Sequence, residues 1–247
     1  MPSLVGSEMC IRDRYKGQAG YQDEGRTRYL QVIRGMTFGD SPEQGLVRGR
    51  NFYHEGLDIA LTAPAGWMIQ NDADQLALVN SARDAAMLVR LAPPQAGKTH
   101  NEVIRSMLKP SQGRVESTTL NGLQATRFSG ARTGSNGQVQ ALEATVVSGP
   151  GDRIYLLQTS AKDSNALQRA RAAVREAEGS FRAMTPQDRS AARPWVIKTV
   201  AYPRGGFAEL AKSSPISRPE QQLRLINGYY GGGEPAVGQP VKVVDTP

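Results

Sequence analysis

A series of short segments with alternating apolar residues, followed by one long amphipathic helix, most constrains the fold of this chain. Leu57, Ile59 and Leu61 alternate with polar or small residues, which is the period of a half-buried strand. Later in the chain, apolar residues recur at spacings of three and four, the pattern of a helix that buries one side: Leu167, Ala170, Val174, Ala177 and Phe181. Strands that precede a long helix, rather than alternate with helices, predict an α+β fold with an antiparallel sheet.

Turn-forming residues divide the region between these two features into further segments. Strands are predicted over residues 67–70, 75–80, 85–91, 114–119, 124–129, 138–147 and 153–159. Asn121 and Gly122 predict a tight hairpin, because a type I′ turn needs positive φ at both central positions. Thr99 and Glu102 have the spacing of a capping box, so a helix is predicted to begin there. The α+β domain is predicted to span residues 57–184.

Two further segments flank this domain. Apolar residues among arginines predict a short helix over residues 26–34, which Gly35 ends. Residues 35–56 contain Pro42 and several glycines, and residues 185–193 are polar and contain Pro186, so both are predicted to be linkers.

A small second unit is predicted over residues 194–247. Its apolar pattern indicates a strand from Trp195, a helix around Phe207, a second helix that begins at Pro219, and a last strand over residues 237–244. Proline suits the first helical turn, where its missing N–H leaves no hydrogen bond unmade. The predicted order is strand, helix, helix, strand.

The first residues of the chain have the sequence of a laboratory artefact. Residues 4–13, LVGSEMCIRD, match the translation of one frame of a common transposon-type sequencing adapter. We therefore expect residues 1–14 to be foreign and the true start of the gene to be missing, the alternative being a natural N-terminal arm. The single cysteine, Cys10, lies in this segment.

Charge and residue types narrow the function. The chain has 30 lysines and arginines against 23 acidic residues, a net charge of +7 that favours anionic partners or reflects a solvated arginine-rich surface. No motif of basic residues with interleaved aromatics accompanies this charge, so no nucleic-acid partner is predicted.

His54 and His100 are the only histidines in the sequence, and neither stands in a metal-binding or nucleophile–base motif. Both are interpreted as surface residues. We predict no catalytic residue, no metal ligand and no cofactor in this chain.

Three short stretches in residues 39–54 closely resemble one protein family. They are GDSPEQG from Gly39, VRGR from Val47 and FYH from Phe52, and they resemble the segment that follows the peptidase domain in bacterial envelope zinc metalloproteases of the HtpX/BepA type. The resemblance implies a missing upstream domain in which an HExxH helix and a glutamate hold Zn²⁺. It also implies that residues 15–56 are the helix and linker at the end of that domain, with the helix packed on it. A periplasmic or cell-envelope location follows, with the chain's own peptidase domain and envelope proteins as partners.

The two predicted folded units resemble other families. The apolar strand followed by Pro64, Gly66 and Trp67 resembles the opening of small α+β sandwiches of the PsbP type. In the last unit, the helix residues around Phe207, Leu225 with Asn227, and Gly238 with Gln239 resemble a LysM module, which binds N-acetylglucosamine polymers. That resemblance implies a glycan site formed by five residues: Arg204, Gly206, Phe207, Tyr229 and Tyr230.

This chain departs from the LysM pattern just before the first helix. Arg204, Gly205 and Gly206 stand where that family usually has Gly-Asp-Thr, residues that help to build the sugar groove. Tyr229 and Tyr230 are interpreted either as rings that stack on sugars or as a cover for the core.

Three functional hypotheses follow. The first is a non-catalytic accessory region of a zinc metalloendopeptidase that acts in envelope protein quality control. The second is a stand-alone envelope module that binds peptidoglycan through the LysM-like unit. The third is an α+β domain that holds a small apolar ligand between sheet and helix, which the residues alone do not separate from an ordinary packed core.

Overall fold

The computed structural model describes residues 25–134 and 137–246. The adapter expectation for residues 1–14, including Cys10, lies outside the described residues. In chain order the helices are α1 (Gly25–Ile33), α2 (His100–Val103, which continues as a π-helical turn over Ile104–Leu108), α3 (Ser164–Ser180), α4 (Pro186–Ala191), α5 (Gly206–Ala211) and α6 (Pro219–Asn227).

The described strands are short at the start of the chain and longest in its middle. They are β1 (Thr37–Phe38), β2 (Leu46–Arg48), β3 (Asn51–His54), β4 (Ile59–Thr62), β5 (Met68–Asn71), β6 (Leu76–Val79), β7 (Ala85–Leu91), β8 (Gln112–Leu120), β9 (Leu123–Thr133), β10 (Val139–Ser148), β11 (Ile154–Ala161), β12 (Arg182–Ala183), β13 (Trp195–Ala201) and β14 (Pro240–Asp245).

These elements form two compact units. The central unit is Gly39–Pro194, and the terminal unit combines the described chain up to Phe38 with the described chain from Trp195. The strand pairs of both units are antiparallel, and helices accompany both sets of strands. The predicted α+β class with antiparallel sheets is confirmed.

The central unit contains two sheets and helix α3. Seven strands lie in the order β5-β6-β7-β11-β10-β9-β8, and four lie in the order β12-β4-β3-β2. The main core contains residues of both sheets, such as Phe52 and Leu61 from one and Leu78 and Leu157 from the other. The α3 stripe packs into this core through four of the five predicted residues, Ala170, Val174, Ala177 and Phe181. The prediction of one buried helical face is confirmed.

Helix α2 packs on the other side of the seven-stranded sheet's middle strands. Val103, Ile104 and Leu108 cluster there with Phe128 of β9 and Val146 of β10. The capping box that begins this helix is present as predicted, since the Thr99 hydroxyl accepts the Glu102 N–H at 3.3 Å and the Glu102 carboxylate accepts the Thr99 N–H at 3.0 Å.

The structure corrects the prediction of a linker over residues 35–56. This range contains β1, β2 and β3, and Leu46, Phe52 and Tyr53 are buried. Gly45 lies at φ +91°, and a Cβ there would come within 2.5 Å of the Phe52 ring, so glycine allows that ring to pack. Glycine here serves close packing rather than an irregular connection.

The second linker, over residues 185–193, also contains regular structure. Thr185 and Asp188 form a capping box at the start of α4, in which the Thr185 hydroxyl accepts the Asp188 N–H at 3.1 Å. Pro186 occupies the first helical turn, where proline is well tolerated. The prediction of a linker here was wrong because it relied on the polar, charged composition of the segment. The capping box and the proline that mark the start of α4 are both present in the sequence.

The terminal unit has the predicted order of strand, helix, helix, strand, with β13 antiparallel to β14. Strand β1 adds to the outer edge of β13 and gives a three-stranded sheet in the order β1-β13-β14. Helix α1 belongs here as well: Arg26 Nη2 donates to the Pro240 carbonyl at 3.1 Å, and Lys242 Nζ lies 5.2 Å from the centre of the Tyr29 ring. The HtpX/BepA-type resemblance placed this helix on a peptidase domain, whereas in the structure it contacts β14.

Candidate functional site

The predicted glycan-binding residues lie at one end of the terminal unit, where two loops meet. One loop, residues 202–205, precedes α5, and the other, residues 228–239, joins α6 to β14. The Tyr202 N–H donates to the Gln239 carbonyl at 2.9 Å, and the Gly238 N–H donates to the Tyr202 carbonyl at 2.9 Å. These two backbone hydrogen bonds fasten the loops side by side.

An aromatic cluster supports the loops from below. The Tyr202 hydroxyl accepts the Phe207 N–H at 3.1 Å, and the two rings meet edge to face with their centres 5.0 Å apart. The Phe207 ring is completely buried and lies 5.9 Å from the Tyr229 ring. Phe207 therefore supports the loops and offers no surface to a ligand, although the resemblance placed it among the glycan-binding residues.

Gly206 has a structural role at the start of α5. It lies at φ +70°, and a Cβ there would come within 3.3 Å of the Tyr202 hydroxyl. A larger residue would strain the backbone and press on the hydroxyl that accepts the Phe207 N–H.

Three of the five predicted residues have side-chain surface available to a ligand. Arg204 is exposed on the first loop, Tyr229 is half-buried on the second, and Tyr230 beside it is 77% exposed. The structure thus places one exposed guanidinium and one exposed ring on adjoining loops, with a second ring partly covered between core and solvent.

Sequence reasoning missed Arg224, which connects α6 to the second loop. Its guanidinium lies 5.1 Å from the centre of the Phe207 ring, and its Nη1 donates to the Gly233 carbonyl at 3.1 Å. Its Nε donates to Glu220 at 3.1 Å, and it also pairs with Glu234. The spacing of Glu220 and Arg224 on one helix is the signal that could have found part of this network.

The interpretation of both histidines as surface residues is corrected by the structure, because both rings are half-buried and hydrogen-bonded. His54 ends β3, and its Nδ1 accepts the Leu57 N–H at 3.2 Å. His100 lies in α2, with Nδ1 2.8 Å from the Thr126 hydroxyl and Nε2 2.8 Å from the Ser148 hydroxyl. Burial lowers the pKa of each histidine.

The Ser148 and His100 pair has the spacing of a nucleophile and a base, but its third member is wrong for that chemistry. In serine hydrolases a carboxylate stabilises the imidazolium that forms during the reaction. Here Nδ1 faces the neutral hydroxyl of Thr126. The three residues therefore fix α2 to β9 and β10, and we assign them a structural role.

The HtpX/BepA-type resemblance places its zinc in a domain upstream of the described residues, which therefore do not test that zinc site. No three histidine, cysteine or acidic side chains come together among residues 25–134 and 137–246 in the way a metal site requires. Within the same residues, no helix is both long enough and apolar enough to cross a membrane.

A cleft of about 470 Å³ lies between the two sheets of the central unit. One wall comes from β3 and β4 and the other from β6, β7 and β11. The lining includes His54, Tyr155 and a set of apolar side chains: Phe52, Leu57, Ile59, Leu76, Val89 and Leu91. The third hypothesis of the sequence analysis placed a small ligand between sheet and helix, whereas this cleft lies between sheet and sheet.

Comparison with known proteins gives no family. No protein-family model matches the chain, and no curated protein matches it. Among solved structures, the chain is similar to LpqN of Mycobacterium tuberculosis, described as involved in cell envelope biogenesis, with 17% identity and a TM-score of 0.38 over 51% of this chain and 83% of that one. It is also similar to the cyanobacterial PsbP protein CyanoP of Synechocystis, with 14% identity and a TM-score of 0.38 over 60% of this chain and 99% of that one.

Proposed function

We propose that this chain is a non-catalytic module of the periplasm or cell envelope that binds N-acetylglucosamine polymers, such as peptidoglycan, through its terminal unit. The observation that carries the proposal is the position of Arg204 and Tyr230 on two loops that are hydrogen-bonded side by side. The strand, helix, helix, strand order around them is the one that the LysM resemblance implies.

The chemistry of the exposed side chains suits a sugar polymer. A tyrosine ring presents a flat apolar face to the C–H side of a sugar ring, and its hydroxyl retains a hydrogen bond. The Arg204 guanidinium can donate to carboxylate or carbonyl oxygens of a cell-wall glycan. The net charge of +7 favours the approach of an anionic polymer.

Sedimentation with purified sacculi tests this function. We expect the protein to pellet with sacculi, and soluble N-acetylglucosamine oligomers to release it. Tyr230→Ala and Arg204→Ala should each lower the pelleted fraction several-fold, whereas Val237→Ala, an exposed position on the same loop as Tyr230, should leave it unchanged. A pelleted fraction no higher than that of an unrelated basic protein would rule the function out.

A second candidate is the accessory region of an envelope zinc metalloendopeptidase, in which this module would act beside its own peptidase domain on envelope proteins. It is favoured by the structural roles of the family-like residues in 39–54. The Asp40 carboxylate accepts the Val47 N–H at 3.0 Å, Gly45 makes room for Phe52, and His54 caps the turn that follows β3. The residues that carry the resemblance therefore hold specific structural positions in the central unit.

The gene sequence upstream of codon 15 tests the second candidate. A reading frame that continues into an HExxH helix supports it, and a genuine start directly before Tyr15 contradicts it. For the chain itself we expect no stoichiometric zinc and no cleavage of casein, so proteolysis that EDTA abolishes would contradict a non-catalytic role. None of these results depends on whether the terminal unit binds sacculi.

A further inference from the structure

The cleft between the two sheets of the central unit has the size and lining of a small-molecule site. Its volume of about 470 Å³ lies within the range of roughly 300–1,000 Å³ that is typical of ligand pockets. Its floor consists of buried apolar side chains, including Phe52, Ile59 and Leu76. Leu91, at the end of β7, also lines it and is 43% exposed, so the cleft reaches the surface of the unit.

Tyr155 contributes a buried polar group that has no partner. Its side chain lines the cleft and is 1% exposed, and its hydroxyl makes no hydrogen bond within the described residues. Buried hydroxyls are almost always hydrogen-bonded in folded proteins, so this group is an exception that a bound ligand would explain.

The Tyr155 ring is held firmly in place. Its centre lies 5.3 Å from that of the Phe181 ring, and a Cβ on Gly149 would come within 2.4 Å of its edge. Burial raises the pKa of Tyr155 to about 12, so the phenol keeps its proton at neutral pH and can donate it in a hydrogen bond.

His54 places a second donor at the same cleft. Its Nδ1 accepts the Leu57 N–H, which assigns the proton of the neutral ring to Nε2. The ring also meets Phe52 at a steep angle, with centres 6.3 Å apart, so its orientation is fixed. His54 is among the residues that line the cleft, and Nε2–H is the group of its ring that can donate to a ligand.

The charged residues that line the cleft are acidic, although Arg153, outside the lining, is close enough to act electrostatically on His54 and Tyr155. Glu43, Asp72 and Asp74 line the cleft and are exposed, and no lysine or arginine is among its lining residues in the part of the chain that the structure describes. In a chain of net charge +7, this acidic lining is a local exception. It disfavours an anionic ligand and favours a neutral or cationic one.

We propose that this cleft binds a neutral or cationic amphiphile with an acyl chain and an ester or amide carbonyl. The apolar floor takes the chain, Tyr155 and His54 supply hydrogen-bond donors for the carbonyl oxygen, and the acidic residues at the opening face the polar head group. This site lies in the central unit and is independent of glycan binding by the terminal unit.

A set of matched amphiphiles tests the proposal by isothermal titration calorimetry on the full chain, below their micellar concentrations. The probes are dodecanoylcholine, which has a cation and an ester, dodecyltrimethylammonium, which has the cation alone, and dodecanoate, which is anionic. We expect dodecanoylcholine to bind roughly three- to tenfold more tightly than dodecyltrimethylammonium, the value of one hydrogen bond, and dodecanoate to bind most weakly.

Three variants test whether the difference in affinity between the two cationic probes arises in the cleft. Tyr155→Phe keeps the ring and removes one of the two donors, so it should reduce the difference in affinity between the two cationic probes, whereas Tyr53→Phe, a buried tyrosine outside the cleft lining, should leave that difference unchanged. Leu91→Trp obstructs the partly exposed end and should weaken both probes. The proposal is overturned if no probe binds, if wild-type protein does not distinguish the two cations, or if Tyr155→Phe leaves that distinction intact.

Discussion

Nε2 of His100 lies 2.8 Å from the hydroxyl of Ser148. His100 belongs to helix α2, and Ser148 is the last residue of strand β10, on which that helix packs. Because Nδ1 of the same ring lies 2.8 Å from the Thr126 hydroxyl, one side chain connects α2 to both β9 and β10. A neutral imidazole can donate from one nitrogen and accept at the other, and hydroxyl groups can fill either role. The contact therefore depends on the protonation state and burial of one ring.

We expect the free energy of unfolding to fall as the pH is lowered from about 7 to about 5. Burial places the folded-state pKa of His54 and of His100 below the value of about 6.5 that unfolded histidine has. The unfolded state then binds protons first, so this stability is fully present above pH ~6.5 and is lost as the pH falls towards the folded-state pKa values. Urea unfolding at the two pH values measures the change.

The double variant His54→Asn with His100→Gln is the control for that experiment. Asparagine can still accept the Leu57 N–H, and neither replacement titrates in this range. We expect a smaller dependence of stability on pH than in wild-type protein. An unchanged dependence would mean that other groups cause the acid sensitivity.

Replacement by alanine should change the free energy of unfolding in opposite directions at two glycines. A Cβ at Gly130 in β9 would lie 2.2 Å from the Gln112 carbonyl oxygen, so Gly130→Ala should lower the free energy of unfolding by about 1–3 kcal/mol. Gly179 in α3 has open space around its Cβ position and an ordinary φ, so Gly179→Ala should raise it by about 0.5–1 kcal/mol. Urea unfolding of both variants checks the pair, and a loss of stability in Gly179→Ala would contradict the expected gain in helix propensity.

Asp188 should contribute more to the free energy of unfolding than Thr185, its partner in the capping box. Its carboxylate accepts from Arg182 at 3.2 and 2.7 Å and from the Thr185 N–H at 2.9 Å, and the side chain is nearly buried. Asp188→Ala removes a helix cap and leaves Arg182 without this partner, so we expect a loss of about 2–4 kcal/mol in urea unfolding. Thr185→Ala removes the cap and the hydroxyl's hydrogen bond to the Asp188 carboxylate at 2.9 Å but leaves the Arg182 pair, and should cost about 1 kcal/mol. Equal losses would show that the Arg182 pair contributes little.

The sequence predicted those elements whose signals are local. The stripe of α3, the capping box at Thr99 and the hairpin at Asn121 each occupy a few consecutive turns or residues, and all are present in the structure. Strands β2 and β3 were missed because each is only three or four residues long and lies beside glycines. Whether Gly45 is in an irregular linker or beneath a packed ring depends on Phe52, whose position the periodicity does not reveal.

The candidate sites were harder to predict because their residues come from distant parts of the chain. The loop residues Arg204 and Tyr230 were found through a family resemblance, but the complete burial of Phe207 follows only from the tertiary packing. The cleft needs His54 from one sheet and Tyr155 from the other. No spacing in the sequence indicates that these two side chains share a cavity.

Loss of the hydroxyl should change the free energy of unfolding in opposite directions at two buried tyrosines. The Tyr155 hydroxyl is buried without a partner in the described part of the chain, so Tyr155→Phe removes the cost of its desolvation. We expect the ligand-free protein to gain about 1–2 kcal/mol in the free energy of unfolding. The Tyr202 hydroxyl accepts the Phe207 N–H, so Tyr202→Phe leaves a buried donor unpaired and should cost about 1–3 kcal/mol.

Addition of dodecanoylcholine should reduce the stability advantage that ligand-free Tyr155→Phe has over wild-type protein. A ligand stabilises the folded state in proportion to the logarithm of its concentration over its dissociation constant, so the form that binds more tightly gains more. Thermal unfolding with and without the ester measures both the stability of the ligand-free protein and the stability that the ligand adds. A ligand-free Tyr155→Phe that is less stable than wild-type protein would show that the hydroxyl already has a partner, and the cleft would then lose its unpaired donor.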